Sequence, residues 1–249
     1  GVNTAENHPM SMRWIDKARA KGAKLIAVDP RVTRTAAVAD IHLILRPGTD
    51  IALLGGLMNY ALEHELFQKE YVLNYTNASY ILREDYTFDE GIFSGLNGDS
   101  YDRKTWQYEL SADGKPQQDP TLSHPNSVFQ VLKRHYSRYD QDTVCSITGS
   151  NPKDFEKVAE MFCSTGVPGK AGNVLYAMGV TQSTHGSQNV RAIAMLQLLL
   201  GNVGIPGGGV NAQRGEANVQ GSTDMAMLFH ILPGYLGMPQ AGAHPTLAD

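Results

Sequence analysis

The stretch "AKLIAVDPRVTRTAAVADIHLILRPGTD", from Ala23 to Asp50, decides the predicted fold. It contains two short apolar runs, and turn-forming residues end each of them: Asp29-Pro30 after the first and Pro47-Gly48 after the second. Short apolar runs bounded in this way are typical of buried strands. The polar connector between them has room for a short helix. Strands that alternate with helices favour a parallel α/β arrangement.

The rest of the chain continues this alternation. Pro9 opens one predicted helix, and Thr49 or Asp50 caps another that has an apolar face. The run "GNVLYAMGVTQ" (172–182) predicts a further strand, and "SQNVRAIAMLQLLLGNVG" (187–204) predicts a long buried helix. We therefore predict an α/β fold, a parallel-sheet, Rossmann-like layer with helices on both faces.

Residues 78–127 interrupt this pattern. The segment is polar, rich in turn-forming residues and dotted with aromatic side chains. It predicts a long irregular surface insertion, with a hairpin around Trp106 and Gly114.

The composition limits the classes of function. The chain has 249 residues, of which 42% are hydrophobic and 18% are charged, and this indicates a globular protein with a sizeable core. A formal net charge of −4 makes no electrostatic case for a nucleic-acid partner. Cys145 and Cys163 do not form a C-x-x-C pair, so we expect ordinary buried thiols. The longest apolar run is too short for a membrane span.

Polar residues or glycines follow each predicted strand, where ligands of open α/β sheets bind. The opening "GVNTAENHP" (1–9) itself is typical of a strand end that enters a turn. The candidate binding residues are Asn3, Glu6 and His8; Asp29 and Arg31; Gly48 and Asp50; and Met178, Gly179 and Gln182. Four such strand ends together predict a nucleotide-like ligand along the sheet edge.

Each candidate also has a purely structural interpretation. Asp29 accepts hydrogen bonds from a ribose diol or a guanine edge, or it is a turn residue before proline. Arg31 pairs with a phosphate, or it is a solvated arginine. His8 is a ligand or an acid/base group, or it packs at a helix start. In the structural interpretation, Asp50 is a helix cap and Met178 is a packing residue.

A second polar segment, "GVNAQRGEANVQGSTDMA" (209–226), surrounds Arg214 with small residues. Arg214 holds a small anion in a buried pocket, or it bonds carbonyl groups of an irregular loop. No G-x-G-x-x-G follows any strand and no Walker A motif is present, which argues against an ordinary NAD site. Nothing indicates a Ser-His-Asp or Cys-His arrangement.

Five motifs occur in a fixed order: "NTAENHP" (3–9), "VDPR" (28–31), "RPGTDIA" (46–52), "YAMGVTQ" (176–182) and "GNVGIPGGGVNAQRGEANVQGSTD" (201–224). As a set they resemble the molybdopterin oxidoreductase family, whose members carry bis(molybdopterin guanine dinucleotide) with molybdenum or tungsten. The last motif resembles the catalytic subunit of formate dehydrogenases, and the insertion resembles the exported, respiratory type of that subunit.

The resemblance implies a role for each candidate residue. The segment with Asn3, Glu6 and His8 matches one that lines a pterin–guanine dinucleotide, and the turn with Asp29 and Arg31 matches positions that meet guanosine and phosphate. The turn with Gly48 and Asp50 matches a nucleotide contact, and the loop with Met178, Gly179 and Gln182 matches one near the pterin and metal. Arg214 matches the arginine that orients formate. Glu6 stands where some relatives have Asp, so its cofactor contact follows less directly from the resemblance than the others do.

Two family features are absent from this sequence. Members carry a metal-liganding selenocysteine or cysteine followed by histidine before the first motif, and the cysteines of a [4Fe–4S] cluster still earlier. The resemblance therefore implies an internal fragment, inactive alone, whose [4Fe–4S] cluster is bound by residues outside this chain. It implies a molybdopterin-guanine-dinucleotide-binding domain over 1–216 and the start of the following cofactor-binding segment over 217–249.

The implied reaction is the oxidation of formate to CO2 in anaerobic respiration. The implied partners are the remainder of the catalytic polypeptide and an iron–sulfur beta subunit, with a periplasmic location and neither nucleic acid nor a direct membrane span. Another molybdopterin oxidoreductase, of the nitrate or polysulfide reductase type, and a non-catalytic nucleotide-binding module stay open as alternatives.

Overall fold

The computed structural model describes residues 1–214, 219–227 and 231–246. The chain divides into two units, Gly1–Asn211 and Ala212–Asp249. The predicted domain boundary after residue 216 lies outside the described residues and stays a prediction.

The first unit alternates helices with short strands, as the sequence predicts. Its helices are α1 (Thr4–Asn7), α2 (Pro9–Arg19), α3 (Arg34–Val38), α4 (Asp50–Glu63), α5 (Lys69–Tyr75), α6 (Val128–Tyr136), α7 (Gln141–Thr148), α8 (Pro152–Cys163), α9 (Met178–Thr181) and α10 (Gly186–Leu199). Its strands are β1 (Ile26–Val28), β2 (Ile41–Leu43), β3 (Phe88–Asp89), β4 (Ile92–Phe93), β5 (Leu96–Asn97), β6 (Ser100–Tyr101), β7 (Asn173–Tyr176) and β8 (Gly209–Ala212).

The stretch from Ala23 to Asp50 contains a strand–helix–strand unit. Strands β1 and β2 pair in parallel, with Val28 opposite Leu43, and α3 connects them. The Thr33 side chain caps α3 by accepting a hydrogen bond from the backbone N–H of Ala36 at 3.1 Å. The predicted α/β class and its parallel pairing are therefore confirmed. The sheets themselves are narrow, because each described sheet contains two strands.

Helix α4 lies at the centre of the hydrophobic core and packs against α6, α7, α8 and α10. Two consecutive glycines on it allow aromatic rings to approach closely. A Cβ at Gly55 would lie 2.8 Å from the Tyr139 ring, and a Cβ at Gly56 would lie 2.9 Å from the Phe155 ring. Phe155 is only 2% exposed, and its ring fills the space that the missing side chain of Gly56 leaves on α4.

The two cysteines belong to this core. Cys145 and Cys163 are buried and free, as expected for ordinary thiols. Burial raises the pKa of the Cys163 thiol to about 12, and its Sγ donates to the Leu57 carbonyl at 3.4 Å. A thiol with such a pKa stays protonated at neutral pH and is a poor nucleophile.

The predicted insertion consists of small antiparallel pairs rather than one extended hairpin. Strand β3 pairs with β4 and β5 pairs with β6. A turn at Gly114, which has a φ of +76°, brings Leu110 opposite Pro116, in agreement with the expected hairpin there. Trp106 lies outside any strand and donates from Nε1 to the Ser94 carbonyl at 2.9 Å.

The second unit contains α11 (Val219–Asp224) and an antiparallel pair, β9 (Ile231–Leu232) and β10 (Leu236–Gly237). None of the residues in these three elements is buried. Within the described ranges of the whole chain, no helix combines the length and the apolar character that crossing a membrane requires.

Replacing Phe155 with alanine is expected to destabilise the first unit by about 3–5 kcal/mol, because it leaves a cavity between α8 and the glycines of α4. Urea unfolding followed by circular dichroism measures the change. Phe93→Ala, at a side chain that is 39% exposed, is the control and should have a smaller effect. Equal losses in the two variants would contradict the central role of the contact between α4 and α8.

Candidate functional site

The parallel register brings the residues after β1 and β2 to one edge of the sheet. Val28 and Leu43 are partners at the ends of the two strands, and the pairing continues with a hydrogen bond from the Asp29 N–H to the Leu43 carbonyl at 3.2 Å. The first residue of the chain lies beside the same edge, because the Gly1 nitrogen donates to the Val28 carbonyl at 2.7 Å. Three of the four predicted strand ends are therefore neighbours.

Asp29 combines burial with a turn. The residue is 8% exposed, and its Oδ1 accepts a hydrogen bond from the Arg31 backbone N–H at 2.9 Å. This contact is the turn geometry that the structural interpretation requires. The other oxygen, Oδ2, lies 3.5 Å from the Gly1 nitrogen. Arg31 is exposed, and the described residues provide no hydrogen bond or ion pair for its guanidinium.

Asn3 connects α1 to α3. Its Oδ1 accepts hydrogen bonds from the hydroxyl of Thr35 at 3.1 Å and from the Thr35 N–H at 3.3 Å. The same hydroxyl accepts from the Ala5 N–H at 2.9 Å. Thr35 is 6% exposed, so these bonds are shielded from water and hold the first segment against the crossover helix.

Glu6 and His8 lie nearer the surface. Glu6 forms an ion pair with the Nε of Arg34 at 3.2 Å, and both side chains are well exposed. The pair therefore contributes little stability by itself. His8 contacts its neighbour Asn7, with 2.6 Å between the ring Nδ1 and the amide Oδ1.

Gly48 and Asp50 follow β2. Gly48 has a φ of +82°, a conformation that favours glycine, and a Cβ there would meet nothing within 4 Å. The Thr49 hydroxyl donates back to the Arg46 carbonyl at 2.7 Å instead of capping α4. Asp50 is the first residue of α4 and is partly buried, and this burial raises the pKa of its carboxyl group.

The fourth strand end contacts the first segment directly. Helix α9 begins at Met178, which is 43% exposed, and the backbone N–H of Gln182 closes it by donating to the Met178 carbonyl at 2.8 Å. A Cβ at Gly179 would lie 2.1 Å from the Gly1 carbonyl oxygen. Only glycine permits this approach, which joins α9 to the edge where β1 ends.

Arg214 belongs to the second unit. The residue is exposed and has a φ of +63°, a left-handed conformation that is uncommon outside glycine. Its positive charge opposes the rise in the pKa of Tyr235, which a hydrogen bond to Asp224 causes. Residues 215–218, which follow Arg214 in the motif, lie outside the described part of the chain.

Two cavities lined by described residues lie beside the insertion rather than at the strand ends. One, of about 270 Å³, is lined by Arg83, Arg134 and Arg138 among others, and a second, of about 500 Å³, shares Arg83. Carboxylates already pair with two of these arginines: Asp85 with Arg83 at 2.8 Å and Glu90 with Arg138 at 3.0 Å. No predicted site residue lines either cavity.

The part of the chain that the structure describes holds no group of three or more His, Cys, Asp or Glu residues placed to bind a metal ion. The strand-end edge offers a different set of groups: carboxylates, an exposed guanidinium and glycines that allow close approach. These groups suit the recognition of a nucleotide through its base, ribose and phosphates.

Reasoning from the sequence missed several residues that hold the candidate segments in place. Thr35 bonds Asn3, and two amides of α10, Asn189 and Gln197, are 1% and 0% exposed. The signal for the amides was present, because both interrupt an otherwise apolar helix at positions that the helical period assigns to the core.

The molybdopterin oxidoreductase family matches residues 1–245 of the chain. The chain is 54% identical over its whole length to the formate dehydrogenase subunit alpha of Megalodesulfovibrio gigas. Over 96% of its length it is 49% identical to the nitrate-inducible formate dehydrogenase major subunit of Escherichia coli. It spans only 25% and 24% of those two proteins.

Among solved structures, the acetylene hydratase from Pelobacter acetylenicus matches 79% of the chain, with a TM-score of 0.53 and 25% sequence identity. The match covers 20% of that chain. Its arrangement of helices and strands is therefore similar to that of this chain.

Replacing Thr35 with valine is expected to lower the free energy of unfolding by about 1 kcal/mol, because the Ala5 N–H loses its acceptor in a partly buried position. Thr35→Ser keeps the hydroxyl and is the matched control. Urea unfolding compares the two variants. A valine variant as stable as the serine variant would show that the hydroxyl does not hold α1 against α3.

Proposed function

The chain belongs to the molybdopterin oxidoreductase family, and from this we propose that it is part of the catalytic subunit of a formate dehydrogenase. The observation that carries the proposal is the identity of 49–54% to formate dehydrogenase alpha and major subunits over at least 96% of the chain. The substrate rests on these sequences, because one fold supports many reactions. The structural neighbour, named as an acetylene hydratase, illustrates this.

The cofactor we propose is bis(molybdopterin guanine dinucleotide), with molybdenum or tungsten. The described residues fit one nucleotide arm of such a group. Asp29 supplies a buried carboxylate for the guanosine, and the exposed Arg31 supplies a guanidinium for a phosphate. Asn3, Glu6 and His8 extend this edge from the first segment, as the contact between Asn3 and Thr35 supports.

The glycines and the remaining side chains complete the proposed binding edge. Gly48 leaves open space where a side chain would stand, and Gly179 keeps α9 against the first segment. Met178 and Gln182 flank that close approach from the exposed side of α9, and Asp50 adds a carboxylate whose raised pKa reflects partial burial. We propose that these residues contact the nucleotide and the pterin.

When bound, this cofactor would supply the acceptor for the two electrons that formate loses in becoming CO2 and a proton. We propose that Arg214 binds the formate carboxylate through its planar guanidinium. Two parallel N–H···O bonds fix the direction of the formate C–H bond, which a single ammonium group does not.

We propose that a [4Fe–4S] cluster bound by residues outside this chain takes the electrons from the cofactor, and that an iron–sulfur beta subunit receives them. The relatives' names as alpha and major subunits support a partner subunit. A periplasmic location and a role in anaerobic respiration rest on the resemblance of the insertion to exported subunits.

The experiment that tests the function uses the whole catalytic polypeptide containing this chain. Mass spectrometry measures molybdenum and tungsten, and acid hydrolysis of the same sample releases GMP for quantification. We expect about two GMP per metal atom, together with formate-dependent reduction of a dye. A folded sample without metal and GMP would contradict the proposal. A loaded sample that reduces nitrate or polysulfide but does not oxidise formate would favour the other branch of the family.

Replacing Arg214 with lysine is expected to lower kcat/KM for formate by roughly 100-fold, because lysine keeps the charge but loses the bidentate fork. The metal and GMP content should stay close to that of the wild type. Steady-state dye reduction at several formate concentrations measures the change. Arg191→Lys, at an exposed arginine of α10 outside the predicted site, is the control. Unchanged turnover in Arg214→Lys would remove this arginine from the active site.

A further inference from the structure

Helix α10 carries two amide side chains that are almost completely buried. Asn189 is 1% exposed and Gln197 is 0% exposed. Burying an amide is costly unless it forms hydrogen bonds, so the partners of these groups show what the burial achieves. Both amides donate to groups outside their own helix.

Asn189 holds the segment that contains α9. Its Nδ2 donates to the Val180 carbonyl at 3.1 Å and to the Ser183 hydroxyl at 3.2 Å. The start of α10 is pressed against the same segment, because a Cβ at Gly186 would lie 2.0 Å from the Thr181 carbonyl oxygen. The Oδ1 of Asn189 is buried and has no hydrogen-bond partner among the described residues. The amide therefore acts here as a donor to α9 and its following turn.

Gln197 holds the beginnings of two strands with one amide group. Its Nε2 donates to the Gly172 carbonyl at 2.8 Å and to the Gly209 carbonyl at 2.7 Å. Gly172 directly precedes β7, and Gly209 is the first residue of β8. Asn202, itself 0% exposed, orients the amide by donating to the Gln197 Oε1 at 3.0 Å. The polar atoms of the Gln197 side chain are thus fully engaged.

The two amides contact different predicted parts of the site. Val180 lies within the segment that contains Met178, Gly179 and Gln182, the predicted cofactor contacts. Gly209 begins the strand from which the chain continues to Arg214, five residues later. Since the position of a strand's backbone depends on where the strand starts, an anchor at Gly209 limits where the residues of β8 lie.

We propose that Asn189 and Gln197 are positioning residues with separate roles: Asn189 holds the cofactor-contacting segment, and Gln197 holds the strand that leads to the formate-binding arginine. The proposal rests on the proposed function for its two end points. It extends the proposed function, because it assigns cofactor retention and substrate binding to two buried amides of one helix. Neither amide needs to touch the cofactor or formate.

The test compares Asn189→Leu and Gln197→Met in the whole catalytic polypeptide. Both substitutions keep the approximate size of the side chain and remove the N–H donors. Gln130→Met is the matched control, because the Gln130 Nε2 donates from α6 to the Leu122 carbonyl at 2.6 Å, in the insertion. Three quantities are measured: amide hydrogen exchange over 178–186 and 209–214, metal and GMP content after gel filtration, and kcat and KM for formate.

The expected results differ between the two variants. Asn189→Leu accelerates exchange over 178–186 and lowers metal and GMP content. Gln197→Met accelerates exchange over 209–214, keeps the wild-type metal and GMP content and lowers kcat/KM for formate about tenfold, mainly through KM, because buried carbonyls lose their donor. Gln130→Met changes none of these quantities.

Asn211→Ala keeps the test decisive if Gln197→Met does not fold. The exposed Asn211 Nδ2 donates to the Asn173 Oδ1 at 2.8 Å and links β8 to β7 without contributing to the core. This variant should change exchange over 209–214 and KM in the same direction as Gln197→Met, by a smaller factor. Unchanged exchange in both regions, or the same pattern of losses in Asn189→Leu and in the β8 variants, would overturn the proposal.

Failure of the proposed function would look different. The wild-type protein would then lack metal and GMP, while the exchange measurements would still report whether the amides hold their segments. Exchange that responds as expected in such a protein would leave the anchoring intact and overturn only its assignment to cofactor and formate.

Discussion

Backbone hydrogen bonds between β1 and β2 are the constraint on which the candidate site depends. Their parallel register makes Val28 and Leu43 partners, so Asp29 and the turn with Gly48 leave the sheet at the same edge. The nitrogen of Gly1 extends the pattern by bonding Val28. An antiparallel pair would send these two polar turns to opposite ends. The parallel direction of the two strands therefore decides which polar residues lie at this edge.

Close contacts at glycines and hydrogen bonds from buried side chains hold together the helices and segments that the short strands do not connect. Each described sheet contains only two strands, so much of the order must come from packing against helices. Gly55 and Gly56 admit aromatic rings to the surface of α4, and Gly179 admits the first segment to α9. The buried side chains of Thr35, Asn189 and Gln197 supply further hydrogen bonds. Such bonds specify position, since their loss leaves a buried group without a partner.

The insertion has a different physical character from the rest of the first unit. Its short antiparallel pairs and its aromatic cluster of Phe93, Tyr101 and Trp106 form local contacts. The arginines of its cavity are largely paired with nearby carboxylates, which leaves little net charge to attract an anion. The insertion is thus a surface element attached to the core, and the predicted site residues lie elsewhere.

The sequence by itself determined the α/β class, the strand–helix–strand unit between Ala23 and Asp50 and the insertion, because hydrophobic period and turn residues are local properties of the chain. The order of its motifs along the whole chain indicated the family by resemblance. It also predicted which residues follow each strand. Only the tertiary structure decided which of those residues meet: that Asn3 bonds Thr35, that Gly179 touches Gly1, and that Gln197 joins Gly172 to Gly209. These contacts join residues far apart in the chain. No local pattern encodes such a pairing, because it depends on how helices pack and on which buried polar groups find partners.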